Sequence, residues 1–314
     1  MTTISSLMDV ALSHDARVTA GADSGHVVVL SSEGAASLIL PDFRTVKTFT
    51  VPEDPEAAAL SPDGSLLAVA AADGITLLST PTFAKSHRLN DAFLSCLFVG
   101  EKLFWTCARL TEQTVILEVR ERGSWAKIAR AKIADPYGHS SFSIFPHPDR
   151  SSVVVWAAGG QDGQCLFWAT LDGAEIGVTR FEALDETGLP SFSPSGDDFL
   201  VTSEGALHCY AYPQGPLKGS LTELDDDEDD PIGYFVSYVD AGHALLASRE
   251  GSLFLVDVSE MSVIDEVAVP NLGITDNLDY FFPLPEGKVV LVYRIRTRGS
   301  EKNSRLHLLA RRED

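Results

Sequence analysis

Short apolar runs separated by polar turns recur along the chain. Two segments show the pattern most clearly: LSPDGSLLAVAAADGITLL at Leu60–Leu78 and FSPSGDDFLVTSEGALHCYAY at Phe192–Tyr212. In each, a Ser-Pro turn precedes a very apolar run, and an acid-Gly turn then leads into another apolar run. Runs of about five to eight apolar or alternating residues bounded by Gly, Pro and Asp are typical of β-strands. The pattern predicts a chain built from strands.

The acid-Gly turns measure the period of this repeat. They stand at Glu33-Gly34, Asp73-Gly74, Asp162-Gly163, Glu204-Gly205 and Glu250-Gly251. Most gaps are about 40 to 46 residues, and one gap is twice as long because it spans a degenerate unit with its turn near Glu112-Gln113. Four strands in about 40 to 45 residues are the sequence mark of a β-propeller blade.

Seven such units fill the chain, and we predict one all-β domain over residues 1–314, a seven-bladed β-propeller of four-stranded blades. The predicted blades are residues 15–51, 55–90, 91–133, 134–184, 185–224, 225–269 and 270–314. The last unit stops after its third apolar run, whereas an unassigned apolar run precedes the first. We therefore expect residues 2–10 to supply the outer strand that closes the last blade, with a loose N-terminal tail as the alternative.

The chain resembles a degenerate WD-repeat β-propeller. The SPDG and SPSG turns match that family's turn between its first two strands, Val256-Asp257 stands where the family has Trp-Asp, and Trp168 is followed by Ala169. The family's Gly-His dipeptide is missing at the expected blade starts. The resemblance implies the propeller shape, but the family's Asp–His–Ser/Thr–Trp network is not expected in most blades, so aliphatic packing between blades must contribute more.

Composition limits the setting of the protein. The chain has 314 residues, of which 45% are hydrophobic and 22% charged, enough for a full core. No run approaches the roughly 18 apolar residues of a membrane span, and the N-terminus lacks the basic start of a secretory signal. Four cysteines without CxxC spacing predict free, buried thiols. We expect a monomeric, cytoplasmic protein, and the Ala-rich degenerate repeats favour a bacterial source.

A net charge of −21 points to the kind of partner. Such a surface repels nucleic acid and anionic membranes. In a propeller, the acid-Gly turns and the loops between blades share one face, the top face, and nearly all of these loops are acidic. Two alternatives are ordinary turn chemistry and a solvated loop over the acidic run, and aromatic residues at blade starts can instead belong to the core between blades. The sharper hypothesis is a negative face that binds a basic protein segment, carried by Asp225, Asp226, Asp227, Glu228, Asp229, Asp230, Glu53, Asp54, Asp185 and Glu186, with Tyr137, Tyr234 and Tyr280 as aromatic contacts.

Catalytic and metal signatures are missing from the sequence. There is no G-x-S-x-G, no H-E-x-x-H and no phosphate-loop lysine after Gly159–Gly163, and the eight histidines lack metal spacing. The run at 225–230 departs from a calcium loop at its sixth and twelfth positions. We therefore expect no catalytic residue, cofactor or metal. The predicted function is a non-catalytic protein-interaction scaffold, and the alternative is a propeller enzyme of the lactonase or hydrolase type with a site at a central channel.

Overall fold

The structure is a computed structural model. It describes residues 2–13, 16–21, 23–91, 93–135, 138–139, 141–159, 163–184, 187–213, 215–224, 232–248, 252–267, 269, 277–284, 288–295 and 303–313.

All regular structure in these ranges is β-strand. In chain order the strands are β1 (Thr2–Ser13), β2 (Arg17–Ala20), β3 (Val27–Leu30), β4 (Ala35–Ile39), β5 (Val46–Thr50), β6 (Ala57–Leu60), β7 (Leu66–Ala71), β8 (Gly74–Ser79), β9 (Lys85–Leu89), β10 (Ser95–Val99), β11 (Leu103–Thr111), β12 (Thr114–Glu121), β13 (Lys127–Ala134), β14 (Ser141–Pro146), β15 (Ser152–Ala158), β16 (Gln164–Asp172), β17 (Glu175–Arg180), β18 (Ser191–Phe192), β19 (Asp198–Ser203), β20 (Ala206–Ala211), β21 (Leu217–Leu221), β22 (Ile232–Tyr238), β23 (His243–Ser248), β24 (Leu253–Asp257), β25 (Ser262–Glu266), β26 (Asn277–Leu284), β27 (Lys288–Ile295) and β28 (Asn303–Glu313).

The described strands form seven four-stranded antiparallel sheets. Sheets one to six are successive meanders, β2 to β5, β6 to β9, β10 to β13, β14 to β17, β18 to β21 and β22 to β25, and sheet seven has the order β1-β28-β27-β26. The prediction of an all-β chain made of four-stranded sheets is confirmed. The N-terminal strand does complete the last sheet, since β1 pairs with β28 from Thr2↔Glu313 to Ser13↔Asn303, with a bulge between Ser6 and Met8.

The chain divides into two compact units, residues 16–185 with sheets one to four, and residues 186–314 together with 1–15, with sheets five to seven. Within each unit the core lies between neighbouring sheets. Leu67 and Leu30 share a cluster between sheets one and two, Trp105 and Val155 one between sheets three and four, and Leu200 and Leu246 one between sheets five and six. Burial of aliphatic surface between sheets is what stabilises each unit, at about 25 cal/mol per Å².

Position in a sheet explains the hydropathy of each strand. The second strand of sheet two, Leu66–Ala71, is almost wholly buried because both of its faces pack on neighbouring sheets, so it is a continuous apolar run. The outer strand of sheet six, Ser262–Glu266, is largely exposed and polar. The described residues contain no helix long and apolar enough to cross a membrane.

Candidate protein-interaction site

The acid-Gly turns lie between the second and third strands of their sheets, and we call that end of each sheet its top end. Backbone hydrogen bonds bring the segments that connect one sheet to the next to the same end. The N–H of Asp54 donates to Ser32 O at 2.9 Å, that of Asp135 to Gln113 O at 2.9 Å, and that of Gly188 to Thr202 O at 2.7 Å. The grouping of acidic turns and connecting segments is therefore built by the backbone.

Exposed carboxylates crowd the top ends of sheets one to three. Glu53 and Asp54 are both exposed beside the turn at Glu33-Gly34, and Asp54 has a positive φ of 48°. Within the described part of sheet two, Arg88 forms an ion pair with Asp73. The exposed acids at these ends are Glu33, Glu53, Asp54, Glu56, Asp73, Asp91 and Glu112.

Most of the residues predicted to bind a partner lie outside the described residues. These are Asp225 to Asp230, Tyr137, Asp185 and Glu186. Tyr280 belongs to β26, of which the strand is described but the Tyr280 side chain is not. The sheet that contains Tyr234 is described, and its side chain is 48% exposed. The Tyr234 side chain is therefore accessible from solvent, and its role in binding stays a prediction.

A wide bulge in β22 presents Tyr234. Ile232 pairs with Ser248 and Val236 with Leu246, so residues 233–235 lie opposite one residue of β23. Such bulges re-aim side chains near functional sites. Gly233 is required here, because a Cβ on it would lie 2.7 Å from Ala247 O and 2.9 Å from Ser248 O.

A shallow cleft lies beside the bulge. It offers about 260 Å³, open solvent at its mouth included, and its lining is Gly188, Thr202, Ser203, Glu204, Gly205, Ile232, Gly233 and Tyr234. Gly188 closes one side: a Cβ there would collide with Thr202 Oγ1 and lie 2.6 Å from Tyr234 O. Thr202 is 3% exposed, and its hydroxyl has no hydrogen-bond partner among the described residues. The hydroxyl oxygen is buried against Gly188, so it offers a ligand no exposed hydrogen-bonding group.

The turn at the mouth of the cleft holds an acidic side chain in an unusual backbone conformation. Glu204 and Gly205 have φ of 50° and 78°, as a two-residue type I′ hairpin requires. Gly, Asn and Asp adopt this region readily, whereas Glu does so at a cost. The turn therefore carries a carboxylate where Asn would be the more stable choice.

A buried polar chain joins sheets three and four at their top ends. The carboxylate of Asp135 is fully buried and lies 2.5 Å from His139 Nδ1, while Arg109 Nη1 lies 3.6 Å from its other oxygen. The expectation that no Gly-His dipeptide precedes a first strand is wrong here, because Gly138-His139 comes just before β14 and His139 is 1% exposed.

The far side of the His139 ring faces a thiol, with 3.9 Å between Nε2 and Cys165 Sγ. The order thiol, imidazole, carboxylate is that of a nucleophilic triad. Burial, opposed in part by Arg180, raises the pKa of Cys165 to about 11, and Cys165 is 3% exposed. A protonated, covered thiol is a poor nucleophile, so the chain Cys165–His139–Asp135 is better suited to holding the loop in place than to catalysis.

No three His, Cys, Asp or Glu side chains of the described ranges are grouped so that they could hold a metal ion. The cleft was missed by sequence reasoning. Gly188 and Gly233 were the available signal, because neither belongs to a repeated acid-Gly turn and a glycine outside a turn often marks a close approach of another backbone segment.

Comparisons with known proteins address the fold. No protein-family model and no curated protein matches the sequence. Among solved structures, the chain is similar to the β-propeller domain of Cps50 (Swd1) from Myceliophteria thermophila, with a TM-score of 0.69 and 10% identity over 99% of both chains. The chain has the fold of a β-propeller.

A second propeller-length match is to hydrazine synthase of Kuenenia stuttgartiensis, with a TM-score of 0.63 and 14% identity, covering 87% of this chain and 91% of that one. At such identities the likeness concerns the fold alone, since one fold hosts many functions. The function of this β-propeller therefore depends on its own residues and not on these two proteins.

Proposed function

We propose that this β-propeller is a non-catalytic, cytoplasmic interaction scaffold, a degenerate WD-repeat protein that binds a basic segment of another protein. The observation that carries the proposal is the half-exposed Tyr234 on its bulge, next to a cleft that the exposed acidic residue Glu204 also lines. Tyrosine is among the residues that most often dominate binding energy at interfaces.

The size of the cleft favours a protein side chain over a small molecule. Pockets for small ligands measure about 300 to 1,000 Å³ and enclose most of the ligand. The space that a water-sized sphere can enter in this cleft is about 20 Å³, far below that range. A partner side chain would therefore lie over the cleft, against the Tyr234 ring.

Charge favours lysine or arginine as that side chain. Their N–H groups are donors, and the exposed Glu204 carboxylate is an acceptor of opposite charge. The acidic run at residues 225–230 immediately precedes Pro231 and Ile232 in the sequence, so the negative charge is concentrated near the cleft along the chain. Clefts of one sign attract the opposite charge and speed encounter.

The test is a fluorescence anisotropy titration with basic peptides, selected on the wild-type protein from a display library. Tyr234→Ala is expected to weaken binding of the selected peptide by at least about tenfold, because a tyrosine anchor is lost. Its melting temperature should stay close to wild type, since the ring is half exposed. Leu217→Ala is the matched control, because Leu217 is 50% exposed on the outer strand of sheet five, away from the cleft lining.

A second variant separates stability from binding. Glu204→Asn relieves the positive φ and should stabilise the protein by up to about 1 kcal/mol, yet weaken peptide binding because a carboxylate is lost. Equal affinities in wild type, Tyr234→Ala and Glu204→Asn would overturn the proposal. So would selection of neutral or acidic peptides, or hydrolysis of esters or lactones that disappears in His139→Gln.

A further inference from the structure

The outer strand of sheet three carries a basic surface on this otherwise acidic protein. β13 is the last strand in its sheet and spans Lys127–Ala134, with Lys127, Arg130 and Lys132 all exposed. By contrast, the outer strands β5 and β21 each carry a single lysine, and the one on β21, Lys218, is bonded to Asp198 at 2.6 Å. The outer strand β9 carries Lys85 and Arg88, of which Arg88 is bonded to Asp73. The basic charge of β13 is therefore a local feature.

A single buried carboxylate contacts two of these cations, Lys127 and Arg130, together with Arg120 of β12. Glu118 on β12 is 7% exposed; its carboxylate lies 2.5 Å from Lys127 Nζ, 3.1 Å from Arg120 Nη2 and 3.5 Å from Arg130 Nε. Three cations share one anion, so positive charge is left over. Because their positions are already fixed, less conformational entropy remains to be lost on binding.

The backbone edge of β13 is positioned to pair with another strand. The N–H of Asp135 donates to Gln113 O, which makes that a hydrogen-bonded pair. Hydrogen-bonded and non-hydrogen-bonded pairs alternate in an antiparallel ladder, so Glu118↔Arg130 and Ile116↔Lys132 are non-hydrogen-bonded pairs. The N–H and C=O groups of Arg130 and Lys132 therefore point away from β12.

The opposite face of the same strand is already occupied. Ala129 and Ile133 pack into the core cluster between sheets three and four, together with Ile176 and Val178 of β17. This packing holds β13 in place, so the edge is offered by a rigid strand. The free features of β13 are its outward backbone groups and the cations on the Glu118 face.

We propose that the edge of β13 is a second docking surface, which binds an acidic, extended segment of another protein as a fifth strand of sheet three. Backbone hydrogen bonds from Arg130 and Lys132 would supply affinity, as in other cases of strand addition. Carboxylates at alternate positions of the segment would face Lys127, Arg130 and Lys132. Lysine on an edge discourages pairing with similar strands, and an acidic strand is the partner for which that repulsion becomes attraction. This surface is independent of the cleft at Tyr234.

The test uses a fluorescein-labelled peptide of alternating Glu and Thr, with the eight-residue length of β13. It is expected to bind the wild-type protein and to weaken several-fold as salt rises from about 50 to about 300 mM. The double variant Arg130→Glu, Lys132→Glu should bind at least about tenfold more weakly. Lys47→Glu, Lys85→Glu is the matched control, because it changes net charge equally on the outer strands of sheets one and two and should bind like wild type.

A peptide N-methylated at alternate residues keeps its charge but cannot pair with an edge. If it binds as well as the parent peptide, strand addition is refuted. Tighter binding of an oligothymidylate of equal charge would assign the surface to nucleic acid. A concentration-dependent dimer abolished by the double variant would assign it to a second copy of the chain. Equal affinity of the parent peptide for the double variant and its control would overturn the docking surface itself.

Discussion

Replacing Asp135 by Asn tests the buried link between sheets three and four. The two side chains have the same shape, so the substitution removes a charge with little change in packing. In the wild type the carboxylate is fully buried, 2.5 Å from His139 Nδ1 and 3.6 Å from Arg109 Nη1. Removing the negative charge leaves the guanidinium without its ion pair, although Arg109 keeps its bonds to the carbonyl oxygens of Glu112 and His139.

The expected cost follows from burial. A hydrogen bond to a charged group contributes about 1.5 to 3 kcal/mol, and breaking a buried ion pair costs about 3 to 5 kcal/mol. Because 28% of the Arg109 side chain is exposed, water compensates part of the lost ion pair. We therefore expect Asp135→Asn to lower the free energy of unfolding by about 3 kcal/mol, the lower end of the range for a buried ion pair. For a unit of this size that corresponds to a fall of about 6 to 12 °C in melting temperature.

Urea unfolding followed by tryptophan fluorescence is the suitable assay. The chain has four tryptophans, at positions 105, 125, 156 and 168, and all lie in or between the strands of sheets three and four. The signal therefore reports unfolding of the part of the protein that Asp135 links. The midpoint should shift while the slope stays constant, as expected for a change in stability alone.

Asp73→Asn is the control. Asp73 also pairs with an arginine, but its side chain is 69% exposed, so its loss should cost no more than about 1 kcal/mol. If both substitutions shift the urea midpoint equally, or if Asp135→Asn keeps the wild-type midpoint, the Asp135–His139 contact does not stabilise the protein as argued.

Three further predictions concern other parts of the chain. Deletion of residues 1–11 should lower the melting temperature sharply, because β28 loses its partner strand; an unchanged melt would contradict the closure. Partial burial tends to raise the pKa of Asp63, but hydrogen bonds from Ser61, Arg122 and Ser65 together hold that pKa well below its usual range. This stabilisation is present above the unfolded pKa of about 4 and is lost as pH falls towards the lower folded pKa. Because the Asp63 side chain is 44% exposed, solvent screening reduces the contribution, and Asp63→Asn should flatten the acid limb of the stability curve by only about 1 kcal/mol. Burial raises the pKa of the Cys96 thiol to about 12 and that of Cys165 to about 11, so a thiol reagent at pH 8 should label neither until urea is added.

Local pattern was enough to predict the strands. Both the strand at Leu66–Ala71 and the turn at Glu204-Gly205 can be read from a few adjacent residues. A strand buried on two faces is a continuous apolar run, and a turn with positive φ favours glycine. The period of these marks gave the four-stranded sheets, and the surplus run at the N-terminus gave the strand that pairs with β28.

The sites could not be predicted in the same way. The top-end hypothesis named Tyr234 from its place at the start of a blade, but the exposure of its side chain depends on a bulge set by the register of Ile232 and Val236. Register is a property of two strands together. Thr202, in a strand of ordinary apolar pattern, lines a cleft because Gly188 comes to it from another segment.

What the sequence determined by itself is the repeating β-structure, because strand and turn preferences act over a few residues and their period survives divergence. What only the tertiary structure decided is which side chains meet. Asp135, His139 and Cys165 form one buried chain, and Glu118 gathers cations from two strands, because sheet pairing brings distant residues within hydrogen-bond range. Distances of that kind depend on the packing of whole strands, which no short window of sequence contains.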